Sequence, residues 1–334
     1  MRTVALLEFL KSNGRTQDRA ASADSDAAPA KGRPTIGLAL GGGAARGFAH
    51  IGIIRTLAAK GLKPDVICGT SIGALVGGAL ATDRLDALEA WARSLSKRRV
   101  LGYLDVSLAG SGLINGARLA ARLDEAFGDI AIEDLPVRFG TIATEIGTGH
   151  EIWLTRGRLA DAVRASYTLP GVFAPTLVGG RWLVDGALVN PVPVSAARAL
   201  GARLVVAVNL NAELFGRGTT ISSHGSDESD ALRKVLGRRG LRRMLGPERE
   251  IKRQVLGAAG SPGLLTVMSE AFNIMQDRIT RARLAGDPPD VLIQPRLGSV
   301  GLLDFHRADE TIALGAEAAE RAIGPLVDAV AALT

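Results

Sequence analysis

Two short apolar segments, each running through glycine into helical spacing, restrict this 334-residue chain more than any other feature. Residues 35–40 are apolar and lead into Gly41-Gly42-Gly43. Residues 46–60 then place Phe48, Ile51, Ile54, Leu57 and Ala58 at helical spacing, and Gly61 closes the run. Residues 66–68 repeat the strand, Gly69-Thr70-Ser71-Ile72-Gly73 repeats the turn, and residues 72–81 form a helix that is small and apolar all round. A strand–turn–helix unit used twice predicts a parallel sheet covered on both faces, an α/β architecture.

The rest of the chain fits one α/β body. Helical spacing covers residues 83–96, 115–127, 159–166, 194–200, 264–284 and 306–331. Apolar strand patterns cover 139–144, 150–154, 181–184, 203–210 and 291–294. Residues 1–34 read as a flexible, polar tail. Residues 35–334 form the domain, interrupted by an irregular and then basic segment at about 211–262.

Composition removes several function classes. Aromatics are 4% of residues, too few for the stacking platforms that single-stranded nucleic acids require. Cys68 is the one cysteine, so a disulfide framework and a multi-cysteine metal site are both excluded. His50, His150, His224 and His306 show no metal-ligand spacing, and neither metal nor cofactor is expected. The net charge of +6 is local: residues 231–254 carry nine Lys/Arg and two Asp/Glu, leaving the remainder at −1.

Gly69-Thr70-Ser71-Ile72-Gly73 is a G-x-S-x-G pentapeptide between a predicted strand and a predicted helix. Such an elbow strains the serine backbone and projects its hydroxyl, and Gly69 and Gly73 let strand and helix approach closely. As a plain structural turn, the same string would make Ser71 a helix N-cap. The earlier loop, Gly41 to Gly47, presents backbone N–H groups to an anion. That anion is either a dinucleotide phosphate or the oxyanion of an acyl intermediate. The dinucleotide pattern fails, because Arg46 and Ala44 stand where G-x-G-x-x-G needs glycine, and no P-loop Lys-Ser/Thr follows.

A serine nucleophile needs a base. His306 lies at a predicted helix start and His224 in a polar stretch, and neither setting suggests catalysis. Asp185 ends a strand beside Gly186, where a carboxylate can reach into a cleft. An ordinary carboxylate is a weak base in water, but one bonded to a serine in a dry site can take its proton. An Asx turn is the bland alternative for Asp-Gly.

The three segments together, the glycine loop ending Arg46-Gly47, then Gly69-Thr70-Ser71-Ile72-Gly73, then Asp185-Gly186-Ala187, resemble the patatin-like phospholipase family. The likeness spans roughly residues 35–210 and is strongest to its bacterial lysophospholipase and esterase branch. Val184 through Pro193 resembles the stretch around that family's acid, and Ser166 through Phe173 the segment before it. The resemblance implies a three-layer α/β/α sandwich with a mainly parallel central sheet. It implies a Ser–Asp dyad without histidine: Ser71 as nucleophile and Asp185 as base. It implies an oxyanion hole at Gly42, Gly43 and Ala44, with Arg46 holding the loop and Gly69, Gly73 and Gly186 supporting the turns. Ala44 departs from the glycine that many members carry there, and alanine resists positive φ. The substrate class implied is a fatty-acyl lipid, such as a (lyso)phospholipid.

Two other readings share these residues. An acyltransferase would use the same dyad with another acceptor. A non-catalytic regulatory protein would keep the fold and dock on membranes. Leu232, Val235, Leu236 and Met244 interleave with Arg233, Lys234, Arg238, Arg239, Arg242 and Arg243, a pattern suited to an anionic membrane surface and not to nucleic acid. The N-terminus lacks the pattern of a signal peptide. Residues 66–82 are an uncharged run of 17, short for a span and rich in glycine. The expected setting is cytoplasmic, with peripheral membrane contact.

Overall fold

The computed structural model describes residues 33–103, 112–114, 116–213 and 264–334. The strands are β1 (Ile36–Leu40), β2 (Val66–Thr70), β3 (Gly112–Ile114), β4 (Arg138–Glu145), β5 (Glu151–Leu154), β6 (Gly171–Phe173), β7 (Thr176–Val178), β8 (Arg181–Asp185), β9 (Leu204–Val208) and β10 (Val291–Ile293). The main sheet runs β10-β9-β1-β2-β4-β8-β7, with β5 also on β4. Pairings from β10 through to β4 are parallel, whereas β5 and β8 meet β4 antiparallel and β7 meets β8 antiparallel. β3 and β6 form a separate parallel pair.

The parallel strands read as apolar runs because both of their faces are covered. Ile36, Leu38 and Leu40 share one core with Leu204, Val206 and Val208. The helices Ala49–Ala59, Ile72–Ala81 and Ala308–Leu333 supply the other side of that core. The alternate residues Ala39, Val205 and Ala207, together with Val66 and Cys68, face a second core closed by Val194, Ala196 and Ala197 of helix Val194–Ala199. The result is an α/β fold of three layers around a mainly parallel sheet. The uncharged run at 66–82 is strand β2 plus the helix Ile72–Ala81. No helix among the described residues is long and apolar enough to cross a membrane.

The register of β4 decides where the site lies. Thr141 pairs with both Gly69 of β2 and Leu154 of β5, so these strands occupy opposite edges. Ala143 pairs with both Asp185 of β8 and Ile152 of β5, so β8 also lies opposite β5. Strands β2 and β8 therefore share one edge of β4, end to end. Thr70 pairs with Ile142 and Asp185 with Ala143, which brings the two C-terminal ends together.

Several boundaries differ from expectation. The glycine loop enters a 3-10 turn, Ala44–Phe48, before the helix Ala49–Ala59, whereas spacing alone starts the helix at Arg46. The turn is tighter because Ala44 sits at φ 47, outside helical geometry. Arg33 belongs to the body and not to the tail: its Nη1 donates to Asp65 Oδ2 at 2.9 Å. Asn211 is buried and bonded, so the irregular segment begins after it. Helix Lys97–Tyr103 and strands β3, β6 and β7 add to the expected elements. The basic stretch with Arg233, Lys234, Arg238, Arg239, Arg242 and Arg243, and His224 with it, lies outside the described residues.

Candidate active site

Ser71 connects β2 to the helix Ile72–Ala81 with φ 56 and ψ −121, a conformation that is costly for a residue with a side chain. Hydrogen bonds on both of its backbone groups hold it there. Its N–H donates to Ser166 Oγ at 2.8 Å, and Ser166 in turn donates to the Ile142 carbonyl at 2.6 Å. Its carbonyl accepts from the Ala74 N–H at 2.9 Å. The flanking glycines are obligatory for close approach. A Cβ on Gly73 would lie 2.1 Å from the Leu40 carbonyl oxygen, and one on Gly69 would lie 2.5 Å from the Ala74 backbone. This is the elbow geometry that the pentapeptide predicts.

Ser71 Oγ donates to Asp185 Oδ2 at 2.7 Å across 114 residues of sequence. Asp185 Oδ1 accepts from the Ala187 N–H at 2.8 Å, so the Asx turn and the serine contact coexist on one carboxylate. The Asp185 backbone is fixed as well: its N–H donates to the Thr168 carbonyl at 2.8 Å, and its carbonyl accepts from Thr144 Oγ1 at 2.9 Å. Gly186 packs against β4, where a Cβ would meet the Ile142 oxygen at 2.2 Å. Asp185 is 2% exposed and Ser71 9%. Burial raises the Asp185 pKa to about 7, against the lowering effect of its bonds to Ala187 and Ser71. A carboxylate tuned to that value accepts a proton near neutral pH far better than one near 4.

The glycine loop lies against the serine. A Cβ on Gly42 would come within 3.5 Å of Ser71 Cβ. Each carbonyl of the glycine run has its own donor. His50 Nε2 lies 2.8 Å from the Gly41 oxygen, Asn211 Nδ2 donates to the Gly42 oxygen at 3.3 Å, and the Arg46 N–H donates to the Gly43 oxygen at 3.1 Å. In a trans peptide the C=O and the following N–H point opposite ways, so pinning the carbonyls also aims the amides. The Gly42 N–H donates to the Pro191 carbonyl at 2.9 Å, which removes it from the expected donor set. Among the described residues the amides of Gly43 and Ala44 donate to no protein acceptor. Ala44 holds φ 47, the left-handed region that alanine adopts only under constraint.

No histidine among the described residues bonds to Ser71 or Asp185. His306 lies in the 3-10 turn Phe305–Arg307. His50 is fully buried, and desolvation lowers its pKa to about 4, so it is neutral at physiological pH and serves the loop through Gly41. Ser166, Thr144, Thr168 and Asn211 carry the site without standing out singly in the sequence. Ser166 and Thr168 do fall in the Ser166-to-Phe173 stretch that the family likeness marks.

Comparison with known proteins identifies relatives of this chain. A family profile described as patatin-like phospholipase matches residues 38–198, a span that contains Ser71 and Asp185. An uncharacterized NTE family protein of Mycobacterium tuberculosis is 36% identical over 330 residues, covering 87% of this chain and 91% of that protein. Its counterpart in Mycobacterium bovis matches to the same extent, 36% over 330 residues. Neuropathy target esterase sws of Drosophila melanogaster is 33% identical over 201 residues, 58% of this chain and 14% of that protein. The chain belongs to the patatin-like phospholipase family.

Proposed function

We propose that the protein is a serine acyl hydrolase that cleaves fatty-acyl esters of (lyso)phospholipids through a Ser71–Asp185 dyad. The observation that carries this reading is the 2.7 Å bond from Ser71 Oγ to a buried carboxylate whose pKa is raised to about 7. Its family is one of lipid ester hydrolases, and the name of the Drosophila relative is that of an esterase.

As Ser71 Oγ attacks the ester carbonyl carbon, its proton passes to Asp185 Oδ2. The carbonyl oxygen becomes an oxyanion that the Gly43 and Ala44 amides receive, the kind of preorganised donor pair that dominates acyl-transfer catalysis. The partial positive charge at the start of helix Ile72–Ala81 adds to the same field. Collapse breaks the ester C–O bond, and the leaving alkoxide takes the proton from Asp185. Asp185 then deprotonates a water that attacks the acyl-enzyme, and Ser71 leaves with the proton returned. The free fatty acid and the alcohol that carried it are the products: a lysophospholipid from a diacyl substrate, a deacylated phosphodiester from a lysophospholipid. Contact with an anionic membrane is assigned to the basic stretch from Arg233 to Arg243, on its sequence pattern alone.

A fluorophosphonate probe tests the nucleophile. Wild type is expected to gain one adduct, mapped by peptide mass to Ser71, and Ser71→Ala to gain none and to hydrolyse lysophospholipid at least about a thousandfold more slowly. Labelling at another residue, or turnover by Ser71→Ala, overturns the assignment.

A further inference from the structure

Arg46 follows the loop amides by two residues and is completely buried. A buried cation normally has a carboxylate beside it, because desolvation is otherwise uncompensated. Among the described residues no carboxylate forms an ion pair with Arg46. Nη1 donates to Asn211 Oδ1 at 2.8 Å and Nη2 to Asn273 Oδ1 at 2.7 Å, and Nε has no partner. Asn211 is itself held by Gln276, whose Oε1 accepts from Asn211 Nδ2 at 2.6 Å. Asn211, Asn273 and Gln276 are all buried, and all three are neutral. The acid that acts on Arg46, Glu270, does so from an exposed position one turn before Asn273. Burial lowers the guanidinium pKa to about 10, which still leaves it charged at neutral pH.

We propose that Asn211, Asn273 and Gln276, the amides that hold Arg46 with no carboxylate paired to it among the described residues, leave it a net positive field that favours the oxyanion formed at the Gly43 and Ala44 amides. The geometry connects the two directly. The Asn211 side chain that accepts from Arg46 also donates to the Gly42 oxygen, and thereby turns the Gly43 N–H toward the opposite side. A fixed charge in a dry environment acts on a developing charge without reorganisation. A clamp needed only for shape would be served better by aspartate at 273, which would hold the same nitrogen and compensate the buried charge. Asn211, Asn273 and Gln276 are thus positioning residues, and all three lie outside the span that the family profile matches.

The inference rests on the hydrolase reading and is tested on a substrate that wild type turns over. Asn273→Asp keeps the acceptor at Oδ1 and changes only charge, since no bond of the Asn273 amide nitrogen is present among the described residues. The expected result is a fall in kcat of about tenfold or more with KM little changed, and a matching loss of affinity for a tetrahedral boronate inhibitor. Thermal stability is expected to hold or rise, because the cation gains a counter-charge. Gln276→Glu carries the same test one bond further from Arg46, with a smaller fall expected. An unchanged kcat in the folded variants overturns the proposal. So does failure of both variants to fold, since a buried cation bonded to neutral amides gains from an adjacent carboxylate. No turnover by wild type would instead count against the hydrolase reading, and the stability of Asn273→Asp would then decide whether Arg46 gains from a directly paired carboxylate.

Discussion

Ser71 and Asp185 meet because the strands that deliver them end head to head on one edge of β4. Thr70 is paired with Ile142 and Asp185 with the next residue, Ala143. One bond of 2.7 Å closes the gap between the two side chains. The sheet that buries the core is therefore also the ruler that sets the dyad distance, and the antiparallel entry of β8 is what turns the carboxylate toward the serine.

Asp185 makes the fold less stable as it ionises. Its folded-state pKa of about 7 lies above the unfolded value near 4. The protonated form therefore favours folding, a contribution complete below about pH 4 and lost as pH rises toward 7. Asp185→Asn removes the charge and keeps one acceptor for the Ala187 N–H, while its amide nitrogen donates to Ser71 Oγ instead of accepting from it, so it is expected to melt above wild type at pH 8, with the gap closing toward pH 4. Moving a carboxyl from near 4 to about 7 corresponds to at most about 4 kcal/mol. Calorimetry across this range checks it; a variant no more stable than wild type at pH 8 contradicts the desolvated carboxylate.

The same titration shapes activity. A base protonated below about pH 7 gives kcat/KM an acidic limb falling tenfold per pH unit below that point. Initial rates on a soluble short-chain ester between pH 5 and 9 read it directly. A profile flat down to pH 5 would assign the proton to another group.

Ser166 links the strained serine to the sheet by two bonds, from the Ser71 N–H and to the Ile142 carbonyl. Ser166→Ala leaves both backbone groups without partners. A loss of about 1–3 kcal/mol is expected, together with a fall in kcat that exceeds any change in KM. Urea titration and steady-state kinetics on one preparation separate the two effects. Retained kcat would mean that the elbow holds its shape without this bond.

Gly73→Ala places a methyl 2.1 Å from a strand oxygen that cannot move independently. The expected cost is about 3 kcal/mol or more, seen as a lower denaturant midpoint. A variant within about 1 kcal/mol of wild type would show that the elbow helix tolerates displacement.

Much of the frame was legible because buried parallel strands and helices carry strong local patterns. The two strand–turn–helix units, the late strands and the long C-terminal helix are set by apolar spacing over many residues. The three-residue strands β3, β6 and β7 escape such reading, since three residues hold no period. The β7–β8 hairpin did leave a signal in Gly179-Gly180, both at positive φ, as a two-residue hairpin turn requires. In the site, Ser71 drew attention through its G-x-S-x-G turn, whereas Asp185 stood out only when its Asp-Gly-Ala turn was taken together with the two earlier glycine segments. The Gly42 amide was not: its N–H goes to Pro191, and only the long-range approach of that backbone shows it. Asn211, Asn273 and Gln276 were hidden for the same reason, because a buried amide in sequence looks like a surface one.

The most direct measurement of the central claim is hydrolysis of a long-chain lysophospholipid by wild type, Asp185→Asn and His306→Ala, each verified as folded. The dyad predicts that Asp185→Asn falls by about a thousandfold or more while His306→Ala stays within about twofold of wild type. Wild-type rates from Asp185→Asn would remove Asp185 as the base, and loss of activity in His306→Ala would return a histidine to the mechanism.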